Sequence, residues 1–208
     1  MGRPKEHDAA TRAELLAAAE RVVEAEGQQA FSLRRIAAEA GTTTRAVYSV
    51  FGSRDGLLVA LGTRAFELLG AGVAAVAVTD DPAADLVESG LVFRTFALEH
   101  PGLFALAVQW TQTSPDVIEA FRPARIEAGA ALRTRLHRAA VAGVLGAFTI
   151  DDAFSAFHSL CEGLAAIELR GLVPRTDAPR LWRAALSALV AGFAMPAPVR
   201  HARKRRRS

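Results

Sequence analysis

The stretch Phe31–Leu58 determines the fold of the N-terminal part of this chain, and its sequence is FSLRRIAAEAGTTTRAVYSVFGSRDGLL. Ser32, Thr43 and Ser53 have side-chain oxygens suited to cap the start of a helix. Gly41 lies between the first two of these residues, and glycine commonly follows the end of a helix. The pattern therefore predicts two short helices joined by a tight turn, with a longer third helix beginning at Ser53.

The second of these short helices has two chemically different faces. Val47, Val50 and Phe51 are spaced i, i+3 and i+4, so they are predicted to be buried. The opposite face carries polar groups that can hydrogen-bond to base edges or phosphates. These groups belong to Thr44, Arg45, Tyr48 and Ser49. The spacing predicts a helix-turn-helix unit whose outward face meets a DNA major groove, and an ordinary solvated helix end is the alternative.

Basic residues surround the turn. Residues 32–54 contain four arginines and one acid, Glu39. The arm before the first helix carries Arg3 beside Pro4, and a basic arm of this kind can contact a minor groove or phosphates. A plain solvated terminus is the alternative interpretation of the arm. Together with the polar helix face, the excess of positive charge favours DNA as the partner.

The rest of the chain is predicted to be helical as well. It has 208 residues, of which 51% are hydrophobic, and alanine and leucine dominate while strand-favouring runs are scarce. The first helix is predicted to begin at Thr11, in a capping box with Glu14. Later helices are predicted at about 53–69, 84–100, 101–110, 115–142, 151–170 and 178–195. The fold class is therefore all-α.

The predicted helices and the charge distribution divide the chain into three segments. Residues 1–56 are predicted to form a helix-turn-helix domain with a basic arm, and residues 57–198 a larger helical domain. Residues 199–208 form a basic tail that is expected to be disordered. The tail holds six of the lysines and arginines, so removing them would change the net charge from +3 to −3. The basic character therefore belongs to the tail more than to the fold.

The stretch Phe31–Leu58 also resembles the signature of the TetR family of bacterial transcriptional repressors. The shared features are an Ile-Ala pair, an Ala-Gly turn, an aliphatic-Tyr pair, a phenylalanine, a basic residue and a Leu pair. With the first helix included, the resemblance covers about residues 10–60. The segment Arg94–Leu106 is similar to a helix-His-Pro-helix junction of one branch of the family. The resemblance implies a DNA-binding domain followed by a ligand-binding and dimerisation domain.

The resemblance also implies roles for individual residues. Tyr48 and Arg54 would bind phosphates, and Arg34 would lie near the backbone or groove. Thr43 to Arg45 and Ser49 would approach base edges. Arg45 and Ala46 stand where many members have a small residue or proline and then a threonine. The base preference of other members therefore does not transfer to this chain.

Two further sites are predicted in the helical body. An effector is expected among bulky and polar side chains of the central helices, although an aromatic residue on an apolar stripe is usually core. These candidates are Phe66, Phe93, Phe96, His100, Phe104, Gln109, Trp110, Phe121 and His158. The last two helices expose enough apolar surface for a two-fold dimer interface, or else they close over the core of one chain. These residues are Leu160, Leu164, Ile167, Leu181, Leu186, Leu189, Val190 and Phe193.

Several classes are disfavoured by the sequence. Cys161 is the only cysteine, so an intramolecular disulfide is impossible and a reducing cytoplasm is expected. The histidines show no metal-ligand spacing, and neither a serine elbow nor a phosphate loop occurs. The sequence therefore predicts no enzyme, cofactor, metal site or membrane span.

The expected function is a cytoplasmic homodimeric repressor that binds a palindromic operator in double-stranded DNA. A small, largely apolar effector would release it. One alternative is a nonspecific DNA-compacting protein that depends on the basic tail and arm. The other is a small-molecule-binding helical protein whose DNA-binding unit is vestigial.

Overall fold

The structure is a computed structural model that describes residues 4–108 and 114–195. Within these residues every regular element is a helix, which confirms the all-α fold class. The three N-terminal helices are α1 (Pro4–Glu26), α2 (Leu33–Glu39) and α3 (Thr44–Phe51), and a short 3-10 turn at Gln28–Ala30 precedes α2. The body begins with α4 (Arg54–Ala75), α5 (Pro82–Glu99) and α6 (Pro101–Ala107). It continues with α7 (Pro115–Ala120), α8 (Arg122–Val141), α9 (Ile150–Leu169) and α10 (Ala178–Phe193).

The predicted caps of the N-terminal unit are confirmed. Ser32 accepts the N–H of Arg35 at 3.2 Å, and Thr43 accepts the N–H of Ala46 at 3.3 Å. At the start of α4, the side chain of Ser53 accepts a backbone N–H at 2.9 Å. These bonds satisfy backbone donors that have no partner inside their own helices. They fix where α2, α3 and α4 begin, and hence how far α3 projects.

The turn between α2 and α3 requires its glycine. Gly41 has a φ of +63°, in the left-handed region that side chains with a Cβ rarely adopt. The next residue, Thr42, donates its N–H to the carbonyl of Ala37 at 2.8 Å, which closes the end of α2. A small core of Leu15, Ile36 and Val47, each at most 1% exposed, holds α1, α2 and α3 together.

The start of α1 differs from the prediction. The helix already includes Pro4, so Thr11 lies inside it and does not cap it. Proline is well suited to the first turn of a helix, and residues 5–10 contain no helix breaker. A capping-box pattern in such a stretch therefore does not force the helix to begin there.

The helix predicted at 115–142 is broken in two at Phe121, between α7 and α8. Pro123 explains the break, because proline cannot donate a backbone hydrogen bond and its ring clashes with the carbonyl four residues earlier, so a helix does not continue through it. Pro123 instead occupies the first turn of α8. The break turns the ring of Phe121 toward α4, where the absence of a side chain at Gly62 leaves room for it. A Cβ at Gly62 would lie 2.0 Å from that ring.

Helix α4 is the central helix of the body. It packs along α8 so closely that a Cβ at Gly70 would lie 2.8 Å from the Cα of Ala128. Arg135 of α8, 5% exposed, donates to the carbonyls of Val73 at 3.0 Å and Val76 at 2.5 Å, and so holds the C-terminal end of α4. Among the described helices, only α4 is long and apolar enough to cross a membrane, but its apolar side chains pack against the core of this fold.

Candidate nucleic-acid interface and ligand cavity

Helix α3 presents its polar face to solvent. Val47 is fully buried and Phe51 is 9% exposed, so the apolar stripe packs inward as its spacing indicates. Tyr48 is 54% exposed although it is a large aromatic residue. The remaining outward side chains, also exposed, are those of Thr43, Thr44, Arg45 and Ser49. The structure therefore brings all five onto one solvent-facing surface, called here the recognition face.

The positive charges near this face fall into two groups. Arg35 is engaged within the protein, at 2.6 Å from Glu26 and 3.2 Å from Glu39. Arg34 and Arg45 are exposed and form no ion pair within the described parts of the chain. Arg34 and Arg45 therefore remain available for an external anion.

Glu39, the last residue of α2, is paired with two arginines of the protein. Arg21 binds its carboxylate at 3.0 Å, on the side away from Arg35. The hydrogen bonds from Arg21 and then Arg35 lower the pKa of Glu39 below its ordinary value. The two arginines therefore compensate the negative charge of Glu39.

Arg54, at the start of α4, contacts an aromatic ring and lies near one carboxylate. Its guanidinium lies 5.0 Å from the centre of the Phe31 ring, within the range of a cation–π contact. Its nearest carboxylate, that of Asp55, is 4.0 Å away and both side chains are more than half exposed. The ring contact orients Arg54 without neutralising it. Arg3, the other predicted contact, lies outside the described residues.

The N-terminal unit is joined to the body through α6. The carboxylate of Glu24 in α1 accepts the backbone N–H groups of Gly102 at 2.8 Å and Leu103 at 3.0 Å. A Cβ at Gly102 would lie 2.3 Å from the carbonyl oxygen of Val23, so the two helices are in direct backbone contact. A displacement of α6 would therefore move α1, and with it the helices that pack on α1.

A cavity of about 640 Å³ lies between α4, α5, α8 and α9. Of the side chains predicted to bind an effector, Phe66, Phe93 and His158 line it. The volume lies within the usual range for small-molecule sites. The structure thus brings three of the nine candidates to one cavity wall.

The other candidates lie elsewhere. Phe104 and Phe121 are at most 1% exposed and Phe96 is 6% exposed, so these rings are core. Phe104 packs edge-on against Phe93 with 6.1 Å between ring centres, behind the cavity wall. His100 lies at the junction of α5 and α6, with its Nδ1 3.8 Å from Glu20. Gln109 and Trp110 fall outside the described residues.

The sequence analysis did not find several lining residues. Three arginines of α8, Arg122, Arg125 and Arg133, border the cavity, as do Phe154 and Phe157 of α9. The arginines look like a solvated helix face when the sequence is considered alone. Only the contact between α8 and α9 shows that this face borders an apolar cavity.

Of the two histidines predicted to bind an effector, His158 lines the cavity and His100 does not. Its ring stacks on Phe154 at 6.1 Å and meets Phe93 edge-on at 5.6 Å. Burial lowers the pKa of His158, and the charge of Arg125 lowers it further, while Glu162 at 3.9 Å acts in the opposite direction. The imidazole is therefore neutral at neutral pH and can both donate and accept a hydrogen bond.

The predicted dimer residues divide into two groups. Leu164, Leu186, Val190 and Phe193 are at most 7% exposed within the single chain, so these side chains form core and offer no surface to a partner. The others are half-buried at the edge of the outward surface of α9 and α10. They are Leu160, Ile167, Leu181 and Leu189. That outward surface also carries small exposed residues, namely Ser159, Gly163, Ala184 and Ala188.

The fold and the recognition face define a helix-turn-helix DNA-binding regulator with a separate helical body. Residues 15–61 match the family model described as bacterial regulatory proteins of the tetR family. Residues 86–189 match the model described as the tetracyclin repressor-like C-terminal domain. The chain therefore belongs to the TetR family of bacterial transcriptional regulators.

Solved structures support the same fold. A protein of unknown function from Rhodococcus sp. RHA1 is 25% identical, with a TM-score of 0.75 over 89% of this chain and 96% of that one. A putative tetR family regulator from Shewanella sp. PV-4 is 20% identical, with a TM-score of 0.69 over 88% and 96%. A substituted TetR from Acinetobacter baumannii AYE in complex with minocycline is 18% identical, with a TM-score of 0.60 over 86% and 93%. No curated protein matches the chain.

Proposed function

We propose that this protein is a homodimeric repressor that binds a palindromic operator and is released by a small-molecule effector. The observation that carries the proposal is the recognition face: five polar side chains of α3 and its cap, Arg45 among them, are exposed near Arg34, and no described residue forms an ion pair with either arginine. A DNA major groove supplies both the base edges and the phosphates that these groups bind.

In this proposal, the residues of the recognition face and the neighbouring arginines contact different parts of the DNA. Arg45, Thr44 and Ser49 contact base edges, because they lie on the part of α3 that projects outward beyond its cap. Tyr48, Arg34 and Arg54 bind phosphates and fix the position of the protein on the duplex. Arg3 would add a contact from the arm. Residues 1–56 then form the DNA-binding domain and residues 57–198 the effector and dimerisation domain.

Dimerisation would use the outward surface of α9 and α10. Gly163 in α9 and Gly192 in α10 each face open space, since an added Cβ would meet no atom within 4 Å. Small residues of this kind allow two pairs of helices to approach closely, and Leu160 and Leu189 at the edge supply apolar area. A two-fold dimer places two recognition helices on one side of a duplex, about 34–36 Å apart or a multiple of that distance.

The effector would act from the cavity through two connections. Helix α4 runs from its cap Ser53, next to the recognition unit formed by α1, α2 and α3, to the cavity wall at Leu69 and Val73. Helix α6 is tied to α1 through Glu24. A ligand that prefers one arrangement of these helices by about 1–3 kcal/mol is sufficient to change operator affinity markedly. The Acinetobacter structure, which contains minocycline, is consistent with a ligand-binding body in this fold.

The test is footprinting with the purified full-length protein on the DNA upstream of its own gene. We expect protection of two half-sites related by a two-fold axis and separated by about one or two helical turns. Uniform weak protection without a preferred site would contradict the proposal. So would the absence of any protection at low salt, where phosphate contacts are strongest.

The same DNA separates this proposal from nonspecific compaction. Deleting residues 200–208, which lie outside the described part of the chain, removes six positive charges. A site-specific regulator should keep its footprint after this deletion, although its overall affinity at low salt would fall. A compacting protein would lose most of its DNA binding. The proposed regulator acts in the cytoplasm and catalyses no reaction.

A further inference from the structure

The ligand cavity has an unbalanced charge. Arg122, Arg125, Arg133 and His158 all lie on its wall. No aspartate or glutamate of the described residues lines it. A purely apolar ligand would not need this arrangement, and a cationic ligand would be repelled by it. The chemistry of the wall therefore restricts the ligand class more than the cavity volume does.

The three arginines are not equivalent. Arg122 has its Nε 2.5 Å from the carboxylate of Glu119. Arg133 pairs with Asp151 and also lies over the ring of Phe154, 4.3 Å from its centre. Arg125 is exposed at the cavity wall and forms no ion pair with any residue that the structure describes. Arg125 is thus the cation with an uncompensated charge.

His158 supplies a second polar group on the same wall. Its nearest carboxylate, that of Glu162, is 3.9 Å away and therefore too far for a hydrogen bond. The rings of Phe93 and Phe154 fix the plane of the imidazole. The imidazole is consequently oriented by its neighbours but has no hydrogen-bond partner within the described parts of the chain.

Apart from Ser89, the remaining wall is apolar. Phe66, Val73 and Phe157 are each at most 6% exposed in the chain, and Leu69 and Leu132 are each 8% exposed. The wall therefore combines an arginine that reaches solvent with a set of buried hydrocarbon side chains. A ligand that contacts both is amphipathic.

We infer that the cavity binds an amphipathic carboxylate. The guanidinium of Arg125 binds the carboxylate in the forked geometry that suits a planar anion, and His158 donates a further hydrogen bond. The apolar part of the ligand lies between Phe66, Val73 and Phe157. This inference rests on the proposed function only in treating the ligand as the effector.

The experiment compares three probes with the same hydrocarbon chain: decanoate, decanol and decylammonium. Binding to the full-length protein is measured by isothermal titration calorimetry at neutral pH. We expect decanoate to bind about tenfold or more tightly than decanol, because charge-assisted hydrogen bonds are among the stronger ones. Decylammonium should bind most weakly. Equal affinity of the three probes, tighter binding of decylammonium, or no binding of decanoate would each overturn the inference.

A matched pair of variants locates the effect. Arg125→Gln should remove the preference for decanoate over decanol while leaving decanol binding unchanged. Arg175→Gln, in the loop between α9 and α10, removes an exposed arginine that does not line the cavity and should preserve the preference. Both positions are exposed, so both variants should fold, as circular dichroism would verify. Loss of the preference in both variants, or in neither, would contradict the assignment of Arg125.

Failure of this inference and failure of the proposed function give different results. If the protein protects a palindromic site but does not prefer decanoate, the ligand class is wrong and the regulator stands. If decanoate binds through Arg125 but no specific DNA site is found, the ligand class stands and the proposed function is wrong.

Discussion

Glu24 in α1 caps α6 at Gly102, with its carboxylate 2.8 Å from the Gly102 N–H. The same carboxylate accepts the N–H of Leu103, so one side chain satisfies two backbone donors of a helix that is 78 residues away in sequence. Because α6 belongs to the body and α1 to the recognition unit, this contact connects the two parts of the protein. In the proposed mechanism, changes at the cavity reach α3 through this contact.

The first prediction tests this connection. Glu24→Ala removes the cap and leaves two backbone donors without their partner, so we expect a loss of about 1–2 kcal/mol in the free energy of unfolding. Chemical denaturation measures it. Glu14→Ala is the matched control, because Glu14 is exposed on the same helix, and it should change stability by less than about 0.5 kcal/mol. Equal effects of the two substitutions would show that the cap contributes nothing.

The second prediction concerns a buried polar cluster between α5, α9 and α10. Glu168 accepts two hydrogen bonds from Arg94, at 2.7 and 3.0 Å, and one from the indole of Trp182 at 2.7 Å. Its side chain is 5% exposed. Glu168→Leu leaves the charge of Arg94 unpaired in a largely buried site, and we expect a loss of about 3 kcal/mol in stability.

The double variant Arg94→Met with Glu168→Leu provides the control. It removes both charges, so it should recover part of the stability lost in Glu168→Leu, because no buried charge is left unpaired. Thermal and urea unfolding of the three variants measure the coupling. If the double variant is as unstable as the sum of the two single variants, the ion pair is not what stabilises this region.

The third prediction tests the dimer surface. Gly163 faces open space on the outward side of α9, so Gly163→Arg should leave the fold of one chain intact. It would place a long charged side chain in the proposed interface, and we expect a shift from dimer to monomer by size-exclusion chromatography with light scattering. Gly163→Ala adds only a small group and should remain dimeric. A dimer that survives Gly163→Arg at micromolar concentration would place the interface elsewhere.

The fourth prediction is a pH dependence of stability. Burial, together with Arg125, lowers the pKa of His158 in the folded protein below its ordinary value of 6.5. The unfolded chain therefore binds a proton first as the pH falls, so the stability that is present above about pH 6.5 decreases progressively below it. Asp85, whose pKa is lowered mainly by the hydroxyl of Thr79, loses its contribution only below its ordinary value of 3.8.

Thermal unfolding between about pH 7.5 and pH 5.5 separates these groups, because Asp85 remains ionised throughout that range. We expect the melting temperature of the wild-type protein to fall as the pH decreases, and to fall less in His158→Gln. His137→Gln, at an exposed position of α8, should keep the wild-type slope. The same slope in all three proteins would contradict a neutral His158.

Local sequence signals predicted the recognition unit well. The oxygens of Ser32, Thr43 and Ser53 act on backbone groups three residues away, and the two faces of α3 follow from helical spacing alone. These interactions are short in sequence, so the residue types at fixed offsets are sufficient to find them. The start of α1 and the break at Phe121 were missed, because Pro4 and Pro123 outweigh the capping pattern and the apolar stripe.

The cavity was only partly predictable for the opposite reason. Phe66 and Phe104 are both aromatic residues on apolar stripes, and only the packing of α5 against its neighbours determines which one borders the cavity. Arg125 has the sequence context of a solvated residue. Glu24 binds Gly102 and Glu168 binds Arg94, each more than 70 residues away, and no periodic pattern identifies such partners. Such long-range contacts can be identified only in the folded structure.

The most direct test of the recognition face is the operator affinity of Arg45→Ala, measured by fluorescence anisotropy on the footprinted DNA duplex. Arg45 is exposed at the start of α3 and unpaired within the described residues, so its removal should not affect folding. We predict a loss of about 1–3 kcal/mol in binding to the operator, with a smaller loss on unrelated DNA. Arg175→Ala should bind as the wild-type protein does. Wild-type operator affinity in Arg45→Ala would contradict the account.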